Sequence, residues 1–113
     1  MATSQGTFLA TPAAVQTSAE FDEAVTLITD AKYAEAEVKL NRLLPLYKRS
    51  GDGRRTAETL YWLGFCSEKQ GRIGTAIQLY QEVIKDYPDT PACPHATRHL
   101  EALTTARLPA GTP

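Results

Sequence analysis

Two histidines four residues apart are the first residues whose types and spacing could do chemistry. His95 and His99 would lie one helical turn apart with both imidazoles on one side, and Cys93 is close by in the chain. Histidine at i and i+4 is a common zinc-ligand spacing. Neither a second carboxylate nor a cysteine pair completes the set, and Pro94 falls between the cysteine and His95. We therefore expect the histidines to face solvent and predict no metal and no cofactor.

A group of basic residues surrounds the stretch "GDGRRT", interrupted by Asp52. Such a run is typical of a solvated turn. The spacing G-x-x-x-x-G-K-[ST] of a phosphate-binding loop is missing. We expect a solvated basic loop at Lys48, Arg49, Arg54 and Arg55.

No nucleophile, base and orienting residue stand in a catalytic pattern, and helix faces or caps account for every Asp and Glu. The sequence therefore predicts that the protein is not an enzyme. Cys66 and Cys93 are the only cysteines. A domain of this size builds a core without disulfides, so we expect two reduced thiols.

Length and charge limit the classes of partner. The chain has 113 residues, a net charge of −1 and 42% hydrophobic residues, which suits one globular domain. The near-neutral charge argues against nucleic acid or an anionic membrane as the main partner. No apolar run approaches the roughly 18 residues of a spanning helix, so we predict no membrane insertion.

Both ends of the chain differ in composition from the middle. Residues 1–16 are rich in Ser, Thr, Gln, Gly and Ala and lack a basic n-region, so they are interpreted as a flexible lead-in and not as an intact signal peptide. Residues 17–106 are predicted to form the domain and 107–113 a disordered tail. The default compartment is the cytoplasm; the bacterial periplasm is the alternative if the N-terminus was trimmed.

Apolar residues recur at helical spacing through most of the chain, and no β-type alternation occurs. The pattern predicts an all-α fold of five helices, two antiparallel pairs and a terminal one. The first helix is evident from Phe21, with Thr17 or Ser18 as its cap. In the second, Pro45 predicts a kink or an early end. The others are expected at about 56–70, 73–86 and 94–105.

The chain also repeats itself. Residues 33–44, "YAEAEVKLNRLL", align with 73–84, "IGTAIQLYQEVI". The alignment pairs Ala36 with Ala76 and Leu40 with Tyr80. Self-similarity of this size indicates stacked helix pairs, each of which needs a neighbour to bury its apolar face. The small alanines would allow a close approach of the two helices in a pair.

Residues 57–88 resemble a tetratricopeptide repeat. That family places Leu-Gly in the first helix, Gly at the turn, Ala and an aromatic residue in the second helix, and Pro at the end. Trp62 lies two residues after the family's usual tryptophan position, which Leu60 occupies. The matching positions here are Leu63, Gly64, Gly71, Ala76, Tyr80 and Pro88.

The other two units depart from that pattern. The first keeps Ala36 but has Ala24 where the glycine would stand. The offset from Ala36 to Ala76 is 40 residues, against 34 in the family, so the segment "RSGDGR" is expected to extend the joint. The fifth helix, entered through "YPDTP", is similar to the start of a third repeat of the kind found in bacterial envelope proteins of the outer-membrane assembly and cell-division-coordinator types.

The resemblance implies a groove lined by the first helix of each pair, which holds a peptide or a partner helix. Tyr61 and Phe65 would form its centre, with Glu68 and Lys69 at the rim. The alternative is that both aromatic side chains only pack against neighbouring helices. The lysine and asparagine that hold a peptide's terminal carboxylate in some relatives are absent, which disfavours that ligand. The groove positions carried over are Glu58, Tyr61, Phe65, Glu68 and Lys69.

Two functions follow as hypotheses. The first is a non-enzymatic adaptor or scaffold that binds another protein. The second is an assembly subunit that pairs with its own copy through the incomplete last repeat, using Leu103, Ala106 and Leu108. Polar residues on the fifth helix favour a capping role and a monomer, with a homodimer as the alternative.

Overall fold

The computed structural model describes residues 13–107, with side chains from 17 to 105, and over that range the chain is helical without strands. Short connections at 30–32, 51–52, 70–72 and 87–91 join consecutive helices, which pack on one another, and α3 also contacts α1 and α5. The predicted all-α fold of two helix pairs and a terminal helix is confirmed. Within the described range, no helix is long and apolar enough to cross a bilayer. The helices are α1 (Ala13–Thr29), α2 (Tyr33–Ser50), α3 (Gly53–Lys69), α4 (Ile73–Asp86) and α5 (Ala92–Arg107).

The first helix starts earlier than predicted. Because α1 begins at Ala13, Thr17 and Ser18 lie inside it, and the prediction that either caps it is wrong. The segment before Phe21 lacks an apolar period, but alanine and glutamine have high helix propensity and continue the helix there. Of the predicted lead-in, residues 1–12 lie outside the described residues, as do 108–113 of the predicted tail.

The second helix continues through Pro45 to Ser50, so the predicted early end is wrong. A proline inside a helix leaves the carbonyl four residues earlier without its usual donor. Here that residue is Asn41, and both it and Pro45 are exposed. Water can therefore hydrogen bond the Asn41 carbonyl, which makes the proline tolerable on this side of the helix.

The additional residues of the first unit lengthen a helix and do not extend a joint. Helix α2 has 18 residues and α4 has 14, while only Gly51 and Asp52 separate α2 from α3. The predicted long joint is therefore wrong. The added turn carries Tyr47, whose ring packs edge-on against Phe21 at 6.4 Å and whose hydroxyl donates to the Thr17 carbonyl at 3.0 Å. This contact ties the end of α2 to α1.

Both helix pairs turn in the same way. The turns place Ala31 and Gly71, 40 residues apart, in the left-handed region at φ 63° and 84°. This is the Schellman ending, in which two backbone N–H groups bond back to the last turn of the helix. The bonds are Ala31 N–H to Ile28 O (2.9 Å) and Lys32 N–H to Leu27 O (2.8 Å) in the first turn, and Gly71 N–H to Glu68 O (3.1 Å) and Arg72 N–H to Ser67 O (2.8 Å) in the second.

Two clusters of buried side chains form one core. The first lies among α1, α2 and α3, and the second lies among α3, α4 and α5. Leu44 and Leu79 pack against both clusters and so join them. Helix α3 contributes to each, which makes it the centre of the molecule. The matched alanines Ala36 and Ala76 are both fully buried.

Gly64 on α3 and Tyr80 on α4 form a close contact between their helices. A Cβ atom at Gly64 would lie 2.7 Å from the ring carbon Cε1 of Tyr80, which is fully buried and cannot move aside. In the first pair, 40 residues earlier, Ala24 and Leu40 occupy the equivalent positions in the buried core. The smaller leucine leaves room for the alanine methyl group. Ala24 stands where the repeat pattern has glycine, and Leu40 on the partner helix is accordingly smaller than the aromatic residue of the pattern.

We predict that Gly64→Ala destabilises the fold by about 1–3 kcal/mol, because the added methyl group overpacks the contact with Tyr80. In a Tyr80→Leu background the same change should cost less than about 1 kcal/mol, since the pair then resembles Ala24 and Leu40. Urea unfolding of the wild type, the two single variants and the double variant measures this. Gly74→Ala is the control, because Gly74 is exposed and a Cβ atom there would have nothing within 4 Å. An equal cost in both backgrounds would contradict the overpacking explanation.

We predict that Ala31→Gly stabilises the fold by about 0.5–1 kcal/mol, because the left-handed conformation strains a residue that carries a Cβ atom. Ala19→Gly, at an exposed position inside α1, should instead lose about 1 kcal/mol through helix propensity. Thermal unfolding shows whether each variant is more or less stable than the wild type. A loss of stability in both variants would show that the turn at Ala31 carries no such strain.

Candidate functional site

The aromatic residues predicted for the groove lie opposite the two histidines. Tyr61 and Phe65 are partly exposed on α3. The Tyr61 ring lies 5.5 Å from that of His99 and 5.9 Å from that of His95, and the Phe65 ring lies 5.7 Å from that of His99. Each histidine follows one of the two aromatic residues by the family's 34-residue period. That offset is the sequence signal that could have placed the histidines beside the groove residues.

The prediction that both histidines face solvent is wrong for one of them. His95 is exposed, whereas the His99 side chain is only 28% exposed and lies among α3 and α4 residues. Spacing of i and i+4 puts two residues on one side of a helix but does not say whether a neighbouring helix covers that side. Within residues 13–107, no three His, Cys, Asp or Glu side chains come together as a metal site.

A chain of hydrogen bonds links α3, α4 and α5 at this point. The Tyr61 hydroxyl lies 3.2 Å from His99 Nε2, and His99 Nδ1 lies 3.1 Å from Glu68 Oε1. The Tyr80 hydroxyl donates to the same Oε1 at 2.8 Å. One neutral tautomer of His99 fits both of its contacts described here: Nδ1–H donates to Glu68, and Nε2 accepts from Tyr61.

Glu68 lies deeper than the predicted rim position. Its side chain is 23% exposed, and it accepts from the buried Tyr80. Burial, followed by the hydrogen bond to Glu68, raises the pKa of Tyr80. Burial, followed by the nearby Glu68 charge, raises the pKa of Tyr61. Both phenols therefore keep their protons at neutral pH and can act as donors in the network.

The aromatic residues continue beyond Tyr61 and Phe65. The Trp62 ring lies 5.0 Å from Tyr61 and 5.5 Å from Phe65, and Tyr33 at the start of α2 lies 6.2 Å from Phe65. The Nζ atom of Lys69 is 5.3 Å from the centre of the Phe65 ring. Lys69 is exposed, as expected for a rim residue. The four aromatic side chains and the two histidine rings of α5 form an aromatic strip across α2, α3 and α5.

Glu58, the remaining groove position, is already paired. Its carboxylate accepts from the Arg55 guanidinium at 3.0 Å, three residues earlier on α3. The same guanidinium lies 4.6 Å above the Phe21 ring. The charge of Glu58 is therefore compensated within the chain, at the end of α3 far from Glu68.

The predicted basic loop is not a loop. Lys48 and Arg49 belong to the last turn of α2, and Arg54 and Arg55 belong to the first turn of α3. A cleft of about 550 Å³ lies beside them, lined in part by Tyr47 and Arg49. Only two residues connect α2 and α3. The basic residues on either side therefore belong to the helices, although composition alone assigns them to a turn.

The cysteines take no part in this site. Both are free, and Cys66 is fully buried. Burial raises the pKa of the Cys66 thiol to about 12, so the reactive thiolate is scarce at neutral pH.

Comparison with known proteins identifies one segment. A family model described as tetratricopeptide repeat matches residues 58–90, which cover most of α3, all of α4 and the turn between them. No curated protein and no solved structure matches the chain. The matched segment holds the close contact of Gly64 with Tyr80, the Gly71 turn and the positions from Glu58 to Lys69 that are predicted to line a groove. Residues 58–90 are thus similar to one tetratricopeptide repeat, and this match covers less than a third of the 113-residue chain.

Proposed function

We propose that this protein is a non-enzymatic interaction module that binds a peptide or helix of another protein on its α3–α5 face. This face is defined by Tyr61, Phe65, Glu68, His95 and His99. The observation that carries the proposal is the partial exposure of Tyr61 and Phe65, one turn apart at the centre of the aromatic strip. Tetratricopeptide repeats typically bind other proteins, and this face includes Tyr61, Phe65 and Glu68, three of the positions predicted to line a groove.

Partly exposed aromatic side chains of this kind can act as anchors at an interface. Tyr61 and Phe65 are held by neighbouring rings from α2 and α5, so little side-chain entropy remains to be lost on binding. A guest that covers their exposed parts would gain apolar burial, and rigid aromatic anchors surrounded by polar groups are common at binding hot spots. The face therefore combines an apolar centre with Lys69 and His95 at its edge.

The arrangement of Tyr61, His99 and Glu68 does not support catalysis. It contains a histidine and a carboxylate, but its hydroxyl belongs to a phenol whose pKa is raised above the ordinary value. A base at neutral pH would not ionise such a group readily. The three side chains are better explained as a support that holds α5 against α3.

Self-association through α5 is the second candidate. Its outer surface carries exposed Pro94, Arg98 and Glu101, and Leu103 is partly exposed. A polar outer face is what lets a terminal helix end a stacked array. These residues favour a capping helix, a monomer and one domain over residues 17–106.

We expect a phage-displayed library of random dodecapeptides, selected on the full chain, to yield peptides that bind the α3–α5 face. Tyr61→Ala or Phe65→Ala should weaken a selected peptide by about 1–2 kcal/mol in titration calorimetry, the loss of a moderate anchor. Circular dichroism should show unchanged helix content. Val38→Ala is the matched control, because Val38 is 68% exposed on α2 and is none of the residues that define this face. Binding that survives both aromatic substitutions would place the site elsewhere.

We expect sedimentation at micromolar concentration to give a monomer, because the outer face of α5 is polar. Leu103→Glu should leave the sedimentation coefficient unchanged, since that residue would make no contact between copies. A dimer that dissociates in the Leu103→Glu variant would contradict the capping interpretation and support the assembly function.

A further inference from the structure

One oxygen of Glu68 is unused by the protein. Oε1 takes the hydrogen bonds from Tyr80 and His99, while Oε2 makes none among the described residues. In the same part of the chain, no fully buried side-chain N or O atom lacks a partner. Because Oε2 has no partner, it must be open to solvent. The α3–α5 face thus presents one carboxylate oxygen with free acceptor capacity.

Within residues 17–105, no lysine or arginine compensates the charge of that carboxylate. The groups that bond to Glu68 are the phenol of Tyr80 and the imidazole of His99. Lys69, the next residue, directs its ammonium over the Phe65 ring and forms no ion pair with a carboxylate among the described residues. A half-buried carboxylate is costly without a counter-ion, so a cation brought by a guest would be favoured there.

The rings around Glu68 suit a cation with an aliphatic stem. Tyr61 and Phe65 lie on the same helix as Glu68, two turns and one turn before it, and the three approach His99 together. Ring faces attract ammonium and guanidinium groups. Phe65 already takes an ammonium group, that of Lys69, at 5.3 Å. The residues that would hold a guest's stem and its charge are thus adjacent.

We propose that the α3–α5 face binds a partner peptide through a basic side chain, arginine by preference, whose charge meets Glu68 Oε2 and whose stem lies on Tyr61 and Phe65. Arginine suits the site because its planar group can stack on a ring and bond to a carboxylate at once. This inference rests on the proposed function. An acidic side chain or a terminal carboxylate would instead meet a like charge at Glu68.

The test uses the selected dodecapeptides on the intact chain. Arginine or lysine should be enriched among them, and replacing that arginine by citrulline, its uncharged isostere, should weaken binding at least about tenfold, the scale of a charged contact. Glu68→Gln keeps an acceptor for Tyr80 and His99 but removes the charge. It should weaken the arginine peptide by a similar factor and leave the citrulline peptide unchanged.

Two further variants show whether a loss of binding comes from the lost charge or from a disturbed fold. Lys69→Gln should strengthen binding of the arginine peptide, because it removes a competing cation from the Phe65 ring. If the face bound acidic guests, the same substitution should weaken their binding instead. Glu101→Gln, at an exposed position on α5, should change nothing.

The outcomes separate this inference from the proposed function. Equal affinity for the arginine and citrulline peptides, or enrichment of acidic residues, in peptides that still require Tyr61 or Phe65 would overturn the basic-guest inference alone. A selection that yields no peptide dependent on Tyr61 or Phe65 would overturn the proposed function and this inference with it.

Discussion

The close contact of the Gly64 backbone with the Tyr80 ring is the constraint on which the rest of this structure depends. It sets the separation of α3 and α4, since any side chain at position 64 would meet a buried ring. It also fixes the direction of Tyr80, whose hydroxyl reaches back to Glu68 on α3. The residue that packs the repeat therefore also orients a carboxylate on its surface. Core packing and the candidate site are one arrangement.

The final helix is held by the same group of residues. His99 receives contacts from Tyr61, Phe65, Glu68 and Tyr80, so the terminal unit is joined to the repeat by polar and aromatic contacts as well as by apolar burial. Hydrogen-bonded groups of this kind specify one relative position of two helices more sharply than apolar contact does. This explains how α5 presents a defined surface beside α3.

Periodicity predicted much of the fold, and its failures have physical reasons. The bounds of α4 and the equivalence of Ala36 with Ala76 both follow from apolar spacing, because burial is what that spacing reports. The start of α1 and the passage of α2 through Pro45 depend on propensity and on solvent access, which spacing does not report. The partial burial of His99 depends on contacts between distant segments, and only the 34-residue period hinted at it.

The most direct test of the central claim is an NMR titration of the amide resonances of the full chain with the tightest dodecapeptide from the random library. We expect the largest shift changes in 61–69 on α3 and 92–103 on α5, around Glu68 and His99. Residues 34–46 of α2 should change little. The largest changes in that α2 segment, with α3 and α5 unaffected, would contradict the claim that this protein binds partners on its α3–α5 face.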